Sequence, residues 1–192
     1  MGRPKEFDPD HALELMMMAF WRRGYRGTGI QDLVDSTGVN RASLYGTFGN
    51  KQQLFLAVLE RYTDRCVGEL EHSLKEPRHP VAGIRQMLDH FIDGLLGNQR
   101  GCMLYNTSLE LSEDLRGLRE SVRAGMDRID ALLTDHIREG QRGGEFPSRL
   151  EPVVAACLVM AAMQGMTVRR GGAAERKVLE NIRDGAMAVF HV

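Results

Sequence analysis

Arg41, Ser43 and Tyr45 lie within five residues of one another, with Asn40 just before them and Lys51 shortly after. An arginine can offer guanine two parallel donors, at O6 and N7, and such a pair discriminates between bases by about 1–3 kcal/mol. Ser43 suits a base edge, and Ala42 is small enough to meet a thymine methyl. Thr28 and Tyr45 carry hydroxyls suited to phosphate oxygens. Lys51 adds a charge at a helix N-terminus, where free N–H groups already favour an anion. Thr28, Tyr45 and Lys51 are therefore assigned to phosphates, and Arg41 and Ser43 to base edges. Asn40 is read first as a helix cap and second as a reader of adenine. The set describes a grip on duplex DNA rather than a reaction.

The elements that must hold these side chains are short helices. Thr28 with Gln31 fits a reciprocal capping box, and Ile30, Leu33 and Val34 follow on one helical face. Gly38 stands where the chain must leave that helix through a left-handed conformation. Asn40 opens a second helix, on which Leu44 and Phe48 point inward with Val39. Arg41, Ala42, Ser43, Tyr45 and Thr47 are then left outside. Two helices joined in this way form a helix-turn-helix, whose second helix enters the major groove in DNA-binding examples. Upstream, Asp8 caps a bracing helix with Pro9 in its first turn, a stripe of Leu13, Met16, Met17 and Phe20, and an exit at Gly24. Downstream, Asn50 to Gln53 starts a longer helix with the stripe Phe55, Leu59, Tyr62, Cys66 and Leu70.

Gly27-Thr28 before an apolar helix, Gly38-Val39, Arg41, Ser43-Leu44-Tyr45, Phe48, and Lys51 ahead of Leu54-Phe55 together resemble the tetracycline-repressor (TetR) family. The motif covers roughly residues 5 to 60. Gly46 and Thr47 depart from it, standing where the family often carries a large polar or aromatic residue and a second aromatic. The resemblance implies an all-α protein of about nine helices: a three-helix DNA-binding head, residues 1–50, and a six-helix ligand-binding and dimerisation body, residues 51–192. It also implies phosphate contacts from Thr28, Tyr45 and Lys51. The expected function is that of a dimeric repressor released from a palindromic operator by a small molecule.

Composition is that of an ordinary soluble globular chain, with a formal net charge of −1 over 192 residues. The first 60 residues carry seven basic and seven acidic side chains, so no global positive field advertises nucleic acid. Local placement must do that work, helped by Arg3 and Lys5 on an N-terminal arm suited to phosphates or the minor groove. Cys66, Cys102 and Cys157 are few and odd in number, and no secretory signal precedes them, which points to a reducing cytoplasm. The apolar run from Pro152 to Val168 contains Gln164 and Gly165 and reads as a buried helix, not a membrane span. Pairing it with the last helix across a two-fold axis would bury its excess apolar surface in a second copy of the chain.

In the body, Phe91, Leu95, Cys102, Tyr105, Asn106, Met126, Met163 and Gln164 combine apolar walls with a few polar groups, the composition of a small-molecule pocket between helices. The same spacing also suits plain core. Cys102 follows Arg100 and a Gly-rich break, which offers a second reading as a redox- or electrophile-sensing thiol. A thiol enzyme pairing Cys102 with His90 is a third. No Gly-rich phosphate loop, nucleophile elbow or paired-carboxylate signature supports catalysis, and no Cys or His spacing suits a metal. No cofactor is implied.

Overall fold

The computed structural model describes residues 7–76, 78–98, 101–111, 115–169 and 176–190. Arg3 and Lys5 lie outside the described residues, as does Arg100. Among the described residues the chain forms nine α-helices and no strand: α1 (Pro9–Gly27), α2 (Ile30–Thr37), α3 (Arg41–Phe48), α4 (Lys51–Lys75), α5 (Pro80–Asn98), α6 (Met103–Glu110), α7 (Arg116–Arg142), α8 (Pro152–Arg169) and α9 (Arg176–Met187). A short 3₁₀ turn, Ala188–Phe190, closes the described chain.

The chain divides into two compact units, one of Met1–Asp64 with Met103–Gly125, the other of Arg65–Cys102 with Met126–Val192. The first unit therefore holds α1 to α3, the first half of α4, and also α6 and the start of α7. A head confined to residues 1–50 would leave out Leu54, Phe55, Val58 and Leu59, all fully buried. Phe55 packs on Phe20 of α1, ring centroids 4.6 Å apart, and on Tyr25 at 5.0 Å. Met16, Met17, Leu33 and Leu44 complete the core beneath α2 and α3. Tyr62 ties α4 to α6 by accepting at its hydroxyl oxygen from the Met103 N–H, 3.1 Å, and meets Trp21 edge-on.

The second unit is built on α5, α8 and α9, which pack on one another. Ion pairs stitch α5 to α9: Arg183 to Asp89, Arg176 to Asp93 at 2.7 Å, and Arg85 to Asp184 at 3.2 Å. Phe146, in the turn after α7, packs on Phe190 with tilted rings, centroids 5.0 Å apart, and fills the space beside Gly140. Among the described residues α8 alone is long and apolar enough to cross a bilayer. It is only partly the buried helix expected of it: Ala155, Ala156, Val159, Met163 and Met166 face inward, while Val153, Val154, Leu158 and Val168 are exposed.

Glycine in a helix interior ordinarily costs about 0.5–1 kcal/mol relative to alanine. Gly94 meets nothing within 4 Å of a built Cβ, whereas a Cβ on Gly140 would lie 2.3 Å from the Phe146 ring. Gly94→Ala is expected to stabilise the fold by about 0.5–1 kcal/mol, and Gly140→Ala to destabilise it by about 1–3 kcal/mol. Urea unfolding of the two variants should shift in opposite directions.

Candidate nucleic-acid interface

The interface begins with a break in α1. Gly24 leaves helical geometry at φ 73°, ψ 175°, a conformation open to glycine and strained for other residues. Thr28 is fully buried, and its hydroxyl donates back to the Gly24 carbonyl at 2.7 Å. Two expectations change here. The hydroxyl that was assigned to a phosphate is used inside the fold, because a carbonyl released at the break needs a donor. The cap of α2 also lies one residue later, at Gly29 rather than Thr28, and since glycine has no side chain only the Asp32 half of a reciprocal box is present. Asp32 accepts the Gly29 N–H at 2.7 Å, and Gln31 instead donates to Asp35.

The remaining local geometry follows the sequence closely. Gly38 sits at φ 69°, ψ 4°, and its N–H closes α2 on the Val34 carbonyl at 2.8 Å. Asn40 caps α3 by accepting from the Ser43 N–H at 2.9 Å, so its side chain serves the helix. Leu44 is fully buried. Arg41 and Ala42 are exposed, and Ser43, Tyr45 and Thr47 partly so. Arg41 lies over the Tyr45 ring, its guanidinium carbon 5.2 Å from the centroid, which orients both side chains on one face of α3. Gly46 is exposed, and the space beside it is open.

Lys51 opens α4 behind a full capping box, in which Asn50 and Gln53 each accept the other's N–H, at 3.0 and 2.9 Å. Its ammonium lies over the Tyr25 ring, 4.5 Å from the centroid. Burial pushes that ammonium below its usual range, while Glu110 and Asp32 pull it back up. Asp32 is itself held below the usual carboxylate range, first by the Gly29 N–H and then by Arg23, with which it forms an ion pair. Tyr25, Arg23, Asp32 and Glu110 were not anticipated. Asp32 could have been found from its place three residues after Gly29; nothing local marks Glu110, which lies 84 residues from its partner Arg26.

The expected pocket residues are distributed over both units. Phe91 and Leu95 stand on α5, Met126 on α7, and Met163 and Gln164 on α8, all with Cys102 in the second unit; Tyr105 and Asn106 belong to the first. Leu95 and Met163 are buried, and the other six are partly exposed. One turn along α7 from Met126, Asp130 has a carboxylate oxygen that is buried without a hydrogen-bond partner, and burial followed by repulsion from Asp127 pushes its carboxyl up. Among the described residues no group of His, Cys, Asp or Glu is placed to hold a metal ion.

Residues 13–58 match the model of bacterial regulatory proteins of the tetR family, and residues 80–185 match a tetracyclin repressor-like C-terminal domain. The chain belongs to the TetR family. It is 32% identical over 187 residues to the HTH-type transcriptional repressor ComR of Escherichia coli, covering 93% of this chain and 87% of ComR. An uncharacterised HTH-type regulator of Bacillus subtilis, YezE, is 33% identical over 76% of this chain and 78% of its own. Among solved structures, TetR-family CifR bound to 26-bp operator DNA superposes with a TM-score of 0.89 at 23% identity, covering 98% of this chain and all of that one. As a TetR-family member the chain is a helix-turn-helix transcriptional regulator, of a family of regulators rather than enzymes.

Removing the Thr28 hydroxyl leaves the part-buried Gly24 carbonyl without that donor, at a cost of about 1–3 kcal/mol. Thr28→Val should lower the urea midpoint accordingly, and Thr28→Ser should recover most of the loss.

Proposed function

We propose that this regulator is a homodimeric repressor that binds a palindromic operator through α3 and leaves it when a small molecule occupies the body. The observation that carries the proposal is the exposed face of α3, where Arg41, Ala42 and Ser43 stand over a fully buried Leu44, with no acidic side chain on the helix. In this reading Arg41 and Ser43 meet base edges, Ala42 meets a thymine methyl, and Tyr45 and Lys51 meet phosphates. Thr28 acts through the fold, and Asn40 as a cap. Arg3 and Lys5 remain the arm that follows phosphates or the minor groove. Operator DNA in the CifR structure and the repressor activity named for ComR support this assignment.

One head makes too small a surface for tight specific binding, so a second copy is required. The exposed apolar row on α8, Val154, Leu158 and Val168, supports a two-fold interface formed with α9. Inducer binding is assigned to the second unit, with Phe91, Leu95, Cys102, Met126, Met163 and Gln164 as walls and Asp130 as an added polar group. The ligand would shift the population away from the geometry in which two heads fit successive major grooves. Such a protein works in the cytoplasm.

Anisotropy titrations of a selected duplex and a scrambled one separate the roles of the two basic residues. Lys51→Ala should weaken both duplexes alike and reduce the slope of log K against log salt by about 1. Arg41→Ala should relax preference at one base pair of each half-site, by about 1–3 kcal/mol. Unchanged sequence preference in Arg41→Ala would remove it from base reading.

A further inference from the structure

Glu110 is the last residue of α6, and its carboxylate reaches the backbone of α1 where that helix breaks. The Arg26 N–H donates to Glu110 Oε2 at 3.3 Å. A Cβ on Gly24 would lie 2.0 Å from Glu110 Oε1, so the carboxylate rests directly against the break. Tyr25, between those two residues, carries Lys51 over its ring. An acidic group of α6 and the leading basic residue of α4 thus address three consecutive residues of α1. All three segments belong to the same compact unit.

A carboxylate in the last turn of a helix sits at the negative end of the helix dipole, the unfavourable end for it. What holds Glu110 there must come from outside α6. The Arg26 N–H supplies a hydrogen bond, and Lys51, held over the ring of Tyr25 between the two residues that the carboxylate meets, supplies a positive charge that Glu110 answers. Leu109, the neighbouring residue, is 70% exposed and contributes no apolar anchor. The hold of α6 on the head is therefore largely polar at this end, and it draws on the same lysine that faces operator phosphate.

We propose that Glu110 is the positioning residue through which α6 restrains the DNA-binding head, competing with operator phosphate for Lys51. A phosphate arriving at Lys51 meets a charge already partly answered, and a negative group close by. Any event that moves the end of α6 towards or away from the break then changes operator affinity without touching α3. The inference rests on the assignment of Lys51 to a phosphate.

The test uses the full chain and a fluorescein-labelled duplex carrying the selected site, with binding measured between roughly 50 and 200 mM salt. Glu110→Gln keeps an oxygen for the Arg26 N–H and removes the charge. It should tighten binding by about three- to tenfold at the low-salt end, with the gain shrinking as salt rises. Glu110→Asp, which keeps the charge, should stay within about twofold of the parent. In a Lys51→Ala background, Glu110→Gln should change affinity by less than about twofold, because the competition has lost its object. A neutral or weakening Glu110→Gln, or an equal gain in both backgrounds, overturns the proposal while leaving the phosphate assignment intact. If Lys51→Ala alone leaves affinity and salt slope unchanged, the phosphate assignment fails, and this proposal fails with it.

Discussion

The reading head depends on one interruption. Gly24 takes the chain out of α1 in a conformation that glycine adopts without strain, and the polar groups exposed there are satisfied from two directions. Thr28 returns a hydroxyl to the Gly24 carbonyl, and Glu110 takes the Arg26 N–H. That settlement fixes where α2 begins. With α2 fixed, Leu33 and Leu44 are buried in the same unit as Phe20 and Phe55, and the opposite face of α3 points outward. The face proposed to meet DNA is thus set by polar contacts at a helix end some distance from it in sequence.

Charge placement resolves the conflict between a near-neutral chain and a polyanionic target. Among the described residues, several acids of the first unit are engaged with the fold. Asp8 caps α1, Asp32 caps α2 and pairs with Arg23, and Asp10 and Glu14 both hold Arg61. None stands on α3. A balanced count therefore leaves a face whose one charged side chain is Arg41, pre-oriented by Tyr45. Specificity of this kind depends on where the acids are held, not on an excess of bases.

Signals confined to four or five residues were legible in the sequence. The Asn40 cap, the left-handed Gly38, the reciprocal Asn50–Gln53 box and the Asp8–Pro9 start all appear as expected, since each is decided by its immediate neighbours. The nine-helix, all-α organisation was legible for the same reason, helped by the family resemblance. The start of α2 was not. Thr28 and Gly29 both precede Ile30, and only the Gly24 carbonyl, turned towards Thr28 by the break, decides which of them caps. Contacts that join distant segments, such as Glu110 on Arg26 or Tyr62 on Met103, leave no periodic trace. The body was read least well. Its stripes mark core and cavity walls alike, and the exposed side of α8 carries the same residue types as its buried side.

The most direct test of DNA reading by a paired α3 is selection of bound duplexes from a random pool by the purified protein at moderate salt. The account predicts enrichment of an inverted repeat, with half-site centres about one helical turn, 10–10.5 bp, or a multiple of it apart. Recovery of unrelated sequences, bound no more tightly than the starting pool, would contradict it and move the function of the chain from α3 to the body.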